Sequence, residues 1–214
     1  MQESLRFILV TDRKGQSLTQ YLEFVESCIT NGVSAVQLRD KISPPNAREE
    51  FAFALANLLN DYSIPLIIND HVDLALKVNA AGVHLGQTDL CPILAREKIG
   101  PSKIIGISIE SMDDLHRANS TDALDYVAAS SVFATSNKQD IKTKWELEGV
   151  QKLSKQSRYP VVGIGGIDVF NAASVIAAGA SGIAVIGALH DSGSPSKTAK
   201  QIQKSIGEQL CIKS

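Results

Sequence analysis

Short apolar segments rich in β-branched residues recur along the whole chain. Eight of them have the length of a strand: Phe7–Thr11, Ala35–Leu38, Pro65–Asn69, Gly82–Leu85, Ile104–Ser108, Tyr126–Ser130, Val161–Ile164 and Gly182–Ile186. Strands of a parallel sheet have this composition when both of their faces are covered, because neither face meets water. The pattern therefore predicts eight buried parallel strands.

The segments between these strands carry apolar residues at helical intervals. In Tyr21–Thr30, for example, Leu22, Val25 and Cys28 fall on one face of a helix. The other predicted helices are Pro45–Asn60, Leu74–Asn79, Ile93–Ile99, Met112–Asn119, Glu146–Ser154, Val169–Ala178 and Ser196–Gln209. Eight strands that alternate with eight helices predict an α/β fold, a single (β/α)8 TIM barrel. We expect one domain over residues 1–214.

An open, doubly wound sheet is the alternative architecture, and the glycine pattern disfavours it. The first predicted strand-to-helix turn, Thr11–Gly15, lacks a dinucleotide-binding fingerprint, and Gly163–Asp168 fails that fingerprint because its sixth residue is Asp. The longest irregular segment is Ser131–Trp145. Long loops in compact domains commonly serve function, and we expect this one to close over substrate.

Composition narrows the class of partners. The 214 residues carry 21 basic and 23 acidic side chains, a net charge of −2, so there is no overall basic field for nucleic acid or an anionic membrane. Cys28, Cys91 and Cys211 have neither disulfide nor zinc spacing. We find neither a signal-peptide pattern nor an apolar run of membrane length, and we expect a cytoplasmic protein. The oligomeric state stays open, a homo-oligomer included.

Polar residues collect at the carboxyl ends of the predicted strands, where β/α barrels have their active sites. Arg39, Lys41 and Lys138 follow two of these strands. Three cations over one barrel mouth predict a clamp for a di- or triphosphate, with Arg supplying bidentate contacts. The alternative for any one of them is a solvated surface charge.

Two carboxylates follow adjacent strands, Asp70 after the third and Asp89 after the fourth. Mg2+ is typically bound by one or two carboxylates, water and substrate phosphate oxygens. The pair therefore predicts a Mg2+ site opposite the cations. Each residue has a structural alternative as a cap of the following helix.

Glycines follow the last two strands, Gly165-Gly166 and Gly187. Loops seven and eight of β/α barrels commonly bind phosphate through backbone N–H groups, which glycine allows to approach a ligand closely. By contrast, His84 lies within a strand end and we interpret it as a structural residue.

These segments resemble the thiamine phosphate synthase family over nearly the whole chain, from Phe7 to about Leu189. Residues 36–41 (VQLRDK) resemble the family's QLR-acid-K segment, and residues 69–75 (NDHVDLA) its ND-x-VDLA segment. Residues 82–90 (GVHLGQTDL) resemble GVHLGQ-x-DL, and residues 132–138 (VFATSNK) resemble VFPTxTK. Residues 163–167 (GIGGI) with Asn171 resemble IGGI…N, and residues 179–188 resemble AGADGVAVVSA.

The resemblance implies an enzyme, a transferase that joins hydroxymethylpyrimidine diphosphate to a thiazole phosphate and releases pyrophosphate. Carried over by position, it implies the following substrate-binding residues: Gln37, Leu38, Arg39, Asp40, Lys41, Asn69, Ser108, Thr135, Ser136, Asn137, Lys138, Gly166, Ile186 and Gly187. Among them Arg39, Lys41, Ser108 and Lys138 would be catalytic, and Asp70 and Asp89 would hold Mg2+. The implied mechanism is dissociative: the diphosphate leaves first, and the thiazole nitrogen captures a pyrimidinylmethyl cation.

Three residues depart from the family pattern: Ala134 replaces Pro, Asn137 replaces the second Thr, and Gly187 replaces Ser. All three lie on the thiazole-phosphate side, which motivates one alternative, a non-catalytic paralogue that binds thiamine phosphate. The other alternative is a thiazole tautomerase, a relative on the same barrel that uses a histidine base. Residues 106–110 (GISIE) contain no histidine, which favours the synthase.

Overall fold

Eight parallel strands form a closed barrel in which each strand pairs with its neighbours in chain order, and β8 pairs with β1. The structure is a computed structural model that describes residues 3–135 and 143–213. The strands are β1 (Phe7–Val10), β2 (Ala35–Leu38), β3 (Leu66–Asn69), β4 (Gly82–Leu85), β5 (Ile104–Ile109), β6 (Tyr126–Ser130), β7 (Val161–Ile164) and β8 (Gly182–Val185). The predicted (β/α)8 barrel is confirmed.

Helices surround the barrel between consecutive strands. They are α1 (Leu18–Ile29), α2 (Pro45–Asp61), α3 (Val72–Lys77), α4 (Pro92–Ile99), α5 (Met112–Asn119), α6 (Glu146–Gln156), α7 (Ala172–Ala177), α8 (Gly187–His190) and α9 (Pro195–Lys213). None of the helices in the described residues is long and apolar enough to cross a bilayer.

Two helix starts lie three residues from the predicted position, each for a local reason, whereas the other predicted helices begin within two residues of it. Helix α1 begins three residues before the predicted start because the Ser17 hydroxyl accepts a hydrogen bond from the Gln20 backbone N–H and caps it. Helix α7 begins three residues after the predicted start because Asp168 and Asn171 form a turn first: Asp168 Oδ1 accepts from the Asn171 N–H, and Asn171 Oδ1 from the Asp168 N–H. The four-residue helix α8 is not among the predicted helices.

Alternate residues of each strand face two separate apolar layers. Along β1, Phe7 and Leu9 pack outward against the helices, whereas Ile8 and Val10 pack inside the barrel. The interior also holds Ala35, Ile67, Tyr126, Ala128, Val162 and Ala184. These side chains fill the lower barrel, and the room left for a ligand inside it lies at the carboxyl ends of the strands.

Tyr126 is the largest side chain of the interior cluster, and it takes space that β5 leaves free. The residue of β5 beside it in register is Gly106, where a Cβ atom would overlap the Tyr126 ring. Both residues are buried inside the barrel, so neither has an easy way to move. Gly106 is therefore required for packing, not for a turn.

We expect Gly106→Ala to lower the free energy of unfolding by about 1–3 kcal/mol, because the added methyl group forces Tyr126 out of its position. Gly207→Ala is the matched control. A Cβ at Gly207, inside α9, meets nothing within 4 Å, and alanine should stabilise that helix by about 0.5–1 kcal/mol. Urea unfolding of both variants measures the difference. Equal stability of the Gly106→Ala and wild-type proteins would contradict this packing.

Candidate active site

A cavity of about 1140 Å³ opens at the carboxyl ends of the strands, and every strand contributes to its wall. Of the predicted site residues, the structure brings eleven to this cavity: Gln37, Arg39, Lys41, Asn69, Asp70, Asp89, Ser108, Thr135, Gly166, Ile186 and Gly187. Residues that are up to 150 positions apart in the sequence thus share one surface.

Five other predicted residues are placed differently or are not described. Leu38 is buried in the apolar layer outside the barrel, among the helices. The Asp40 carboxylate accepts hydrogen bonds from the backbone N–H groups of Ile42 and Ser43, so it organises its own loop. Neither residue lines the cavity described here. Ser136, Asn137 and Lys138 lie outside the described residues.

The loop after β2 is held firmly at its start. Thr11 Oγ1, at the end of β1, accepts from the Arg39 N–H at 2.9 Å and donates to the Arg39 carbonyl at 3.2 Å. Burial raises the pKa of Asp40, but hydrogen bonds from Ser43 and Ile42 and the Arg48 charge outweigh it, and the net pKa is lowered. The carboxylate therefore stays ionised, and the turn that carries Arg39 and Lys41 persists at neutral pH.

Amide side chains form the floor on the same side. Gln37 Nε2 donates to Asn69 Oδ1 at 2.7 Å, which links β2 to β3. This bond fixes the orientation of both amides: the Gln37 carbonyl oxygen and the Asn69 NH2 group remain for a ligand. Both residues line the cavity, so a polar ring or a phosphate meets a donor and an acceptor at defined positions.

Asp70 and Asp89 face each other across the ends of β3 and β4. The pKa of the Asp70 carboxyl is raised to about 6. Burial is the largest cause, and a hydrogen bond and charge repulsion from Asp89 add to it. The positive charges of Lys41 and Arg39 oppose this rise in pKa. Lys41 Nζ lies 3.7 Å from Asp70 Oδ2. Two carboxyl groups this close repel one another when both are ionised.

Backbone geometry holds each carboxylate of this pair. Asp70 has a φ of 65°, and its N–H donates to the His84 carbonyl at 2.8 Å. Asp89 Oδ2 accepts from the Gly86 N–H at 2.7 Å. A Cβ at Gly86 would lie 2.9 Å from Asp89 Oδ2, so glycine lets the carboxylate approach the chain. The helix-cap alternative does not describe Asp89, because α4 begins at Pro92 with Cys91 as its cap.

The donor set of this pair fits Mg2+. Within residues 3–135 and 143–213 no group of three or more His, Cys, Asp or Glu side chains could hold a metal ion, so a zinc-type site of three or four protein ligands is not formed there. Mg2+ needs only one or two carboxylates when water and phosphate oxygens complete its shell. A divalent cation between Asp70 and Asp89 would also remove their mutual repulsion.

The loop after β7 forms the opposite wall. Gly165 and Gly166 have φ values of 101° and 64°, in the region that favours glycine. Asn171 Nδ2 donates to the Gly166 carbonyl at 2.9 Å, and this bond fixes the peptide that follows Gly166. Gly187, at the start of α8, lines the same side. The two glycine segments therefore let backbone approach a ligand closely, as phosphate loops do.

The cavity wall also includes polar residues that were not among the predicted site residues, and His84, Gln87 and Glu110 are three of them. Gln87 Nε2 donates to the Ser108 carbonyl at 2.6 Å, which ties the loop after β4 to β5. His84 is in register with Asn69 of β3. The period-two alternation of β4 places it on the inner face, and that signal was available in the sequence.

Comparison with known proteins identifies relatives of the chain. Residues 7–189 match the family model described as thiamine monophosphate synthase. The chain is 41% identical over 209 residues to a thiamine-phosphate synthase of Chlamydia caviae, covering 98% of each sequence. It is 45% identical over 185 residues to one of Azorhizobium caulinodans, covering 86% of this chain and 87% of that one.

A solved structure agrees with these relatives. The thiamine phosphate pyrophosphorylase of Pyrococcus furiosus superposes with a TM-score of 0.88 at 34% identity, covering 98% of both chains. A 3-hexulose-6-phosphate synthase superposes with a TM-score of 0.68 at 18% identity, which reflects the shared barrel alone.

We expect Asp89→Asn to stabilise the protein in the absence of metal. Asp70 binds its proton more tightly in the folded than in the unfolded state, so its contribution to stability falls as pH rises from about 4 to about 6. Removing the Asp89 charge makes this loss of stability smaller, so the free energy of unfolding at pH 8 should rise by about 1 kcal/mol. Urea unfolding in EDTA at pH 8 and pH 4 measures it. A gain of the same size at both pH values would contradict carboxylate repulsion as the cause.

Proposed function

We infer the reaction of this chain from one premise: it belongs to the thiamine monophosphate synthase family, a family of transferases. We propose that it couples hydroxymethylpyrimidine diphosphate with a thiazole phosphate, with Mg2+, to give thiamine phosphate and pyrophosphate. One observation carries the proposal. A close acidic pair, Asp70 and Asp89, shares a cavity with the cations of Arg39 and Lys41.

The diphosphate would bind on the side of β2 to β5. Arg39 presents a planar guanidinium that suits two phosphate oxygens, and Lys41 adds a mobile point charge. Gln37 and Asn69 provide oriented amides on the floor, and Ser108 adds a hydroxyl. Lys138, outside the described residues, would complete the clamp. The thiazole phosphate would bind opposite, at Thr135, Ser136 and Asn137 and at the backbone of Gly166, Ile186 and Gly187.

Asp70 and Asp89 would hold Mg2+ between them. When bound, the ion would neutralise charge that develops on the leaving diphosphate. Arg39 and Lys41 also neutralise this charge, through hydrogen bonds to the diphosphate oxygens. Lys41 already lies beside Asp70, so the cationic and acidic groups would meet the same end of the ligand.

The bond changes need no strong general base. The bond between the pyrimidine methylene carbon and the diphosphate oxygen breaks, and its electron pair leaves with the diphosphate. The lone pair of the thiazole nitrogen then forms the new C–N bond to the cationic methylene carbon. This chain must therefore place the nucleophile and exclude water, which would otherwise capture the cation. A loop at 131–145 that closes over substrate would serve this purpose.

One observation favours a second candidate, a thiazole tautomerase. His84 lines the cavity, and the tautomerases use a histidine base. However, Nδ1 of His84 is 2.8 Å from the Tyr126 hydroxyl and Nε2 is 3.0 Å from Ser108 Oγ, so both ring nitrogens already take part in hydrogen bonds. Pyrophosphate release distinguishes the candidates, because a tautomerase releases none.

We expect the purified protein to form thiamine phosphate and pyrophosphate from the two substrates with Mg2+, and to form neither in EDTA. Asp70→Asn should lower kcat/KM by about 10²-fold or more, because one carboxylate ligand of the ion is lost. Asp73→Asn is the matched control: this exposed carboxylate pairs with Lys98 on the outside of the barrel and should leave kcat/KM unchanged.

Two results would count against parts of this proposal. Metal-independent pyrophosphate release would remove the role given to Asp70 and Asp89. Tight binding of thiamine phosphate without turnover would instead identify a non-catalytic binding protein. The departures at Ala134, Asn137 and Gly187 motivate that second test.

A further inference from the structure

Three polar side chains form a hydrogen-bonded chain across the floor of the cavity. The Tyr126 hydroxyl lies 2.8 Å from His84 Nδ1, and His84 Nε2 lies 3.0 Å from Ser108 Oγ. The three residues come from β6, β4 and β5. Ser108 and His84 line the cavity, whereas Tyr126 lies beneath them, 1% exposed.

Strand register explains how a residue of β6 reaches one of β4. Gly106 of β5 pairs with His84 on one side and with Tyr126 on the other. His84, Gly106 and Tyr126 therefore lie at one level of the barrel. Because Gly106 has no side chain, the Tyr126 ring crosses above β5, and its centroid lies 5.5 Å from that of His84.

The direction of the first hydrogen bond follows from burial. Desolvation raises the pKa of the Tyr126 phenol, so the hydroxyl keeps its hydrogen at any physiological pH. Among the described residues, His84 Nδ1 is the hydrogen-bond partner of that hydroxyl. A buried donor left without an acceptor is costly, so Tyr126 donates and His84 Nδ1 accepts.

The rest of the chain follows from this direction. A neutral imidazole carries one hydrogen, and with Nδ1 as acceptor that hydrogen is on Nε2. His84 Nε2–H then donates to Ser108 Oγ. A hydroxyl whose oxygen accepts from His84 keeps its own hydrogen for a further partner, and Ser108 lines the cavity. The opposite tautomer would take the Ser108 hydrogen and turn oxygen lone pairs toward a bound anion.

We propose that Tyr126 and His84 are positioning residues that fix the His84 tautomer and thereby present the Ser108 hydroxyl as a hydrogen-bond donor to the diphosphate. The role of Ser108 rests on the proposed function, whereas the tautomer of His84 does not. The tautomer decides whether Ser108 attracts or repels a phosphate oxygen.

The protein contains its own reference for this arrangement. His190 Nδ1 lies 2.8 Å from the Ile186 carbonyl, which can only accept, so the His190 hydrogen is on Nδ1. Its Nε2 accepts from the Tyr21 hydroxyl at 2.7 Å and the Asp12 N–H at 3.2 Å. His84 and His190 are each bonded to a buried tyrosine, yet they have opposite tautomers.

The first test is spectroscopic and needs no substrate. In protein labelled with 15N in its four histidines, we expect a protonated Nε2 and an unprotonated Nδ1 for His84, and the reverse for His190. His84→Gln assigns the signals. Tyr126→Phe should produce a mixture of His84 tautomers and leave His190 unchanged. An Nδ1–H tautomer of His84 in the wild-type protein would overturn the proposal.

The second test is a double-mutant cycle on turnover. Tyr126→Phe should lower kcat by about twofold or more, because only the fraction of molecules with the His84 hydrogen on Nε2 then presents the Ser108 hydrogen to the diphosphate. If Tyr126 acts through Ser108, the same substitution should have no further effect in a Ser108→Ala background. Additive losses would mean a general structural defect and would overturn the proposal that Tyr126 acts through Ser108. Tyr21→Phe, which also removes a buried phenol bonded to a histidine, should leave kcat unchanged.

A wild-type protein without synthase activity would defeat the proposed function but not this test. The cycle is then measured on the dissociation constant of inorganic pyrophosphate in the presence of Mg2+. The proposal is supported if Tyr126→Phe weakens pyrophosphate binding in the wild-type background and has no effect in the Ser108→Ala background. Equal weakening in both backgrounds refutes it.

Discussion

Closure of the sheet is the constraint on which the whole site depends. Pairing of β8 with β1, in which Leu9 lies beside Val185, brings the carboxyl ends of all eight strands to one rim. Without it, the acidic loops after β3 and β4 would lie far from the glycine loops after β7 and β8. Because the side chains of the lower barrel fill its interior, polar groups gather where the strands end. The cavity is therefore a consequence of topology before any single residue is considered.

The acidic pair of the site lowers the stability of the folded protein. Asp70 and Asp89 are held close by backbone contacts at His84 and Gly86, and their repulsion contributes to the raised pKa of Asp70. Lys41 relieves only part of it, since the ion pair is long and exposed on the lysine side. A chain under selection for stability alone would separate the two charges. Their proximity is what makes the pair suitable for a divalent cation.

The sequence predicts the barrel well because buried parallel strands are short apolar runs, and closure follows from their number and alternation with helices. It predicts boundaries less well where caps decide them, as at Ser17 and Asn171. Within the site, the segment 37–41 contains predicted residues that reach the cavity and predicted residues that do not. Gln37, Arg39 and Lys41 reach the cavity. Leu38 faces outward because strand residues alternate, and the Asp40 carboxylate binds its own loop, which spacing alone does not reveal.

The hydrogen bond between His84 and Tyr126 is the clearest case of what the sequence could not provide. A histidine at a strand end reads as structural, and by its bond to buried Tyr126 it is structural. Its function depends on Gly106, a residue that contributes no atom to the bonds but leaves the space in which they form. That relation spans three strands and 42 residues between His84 and Tyr126, so no local pattern encodes it. A residue can therefore belong to the core and to the site at once, because in a barrel the upper layer of the core is the floor of the cavity.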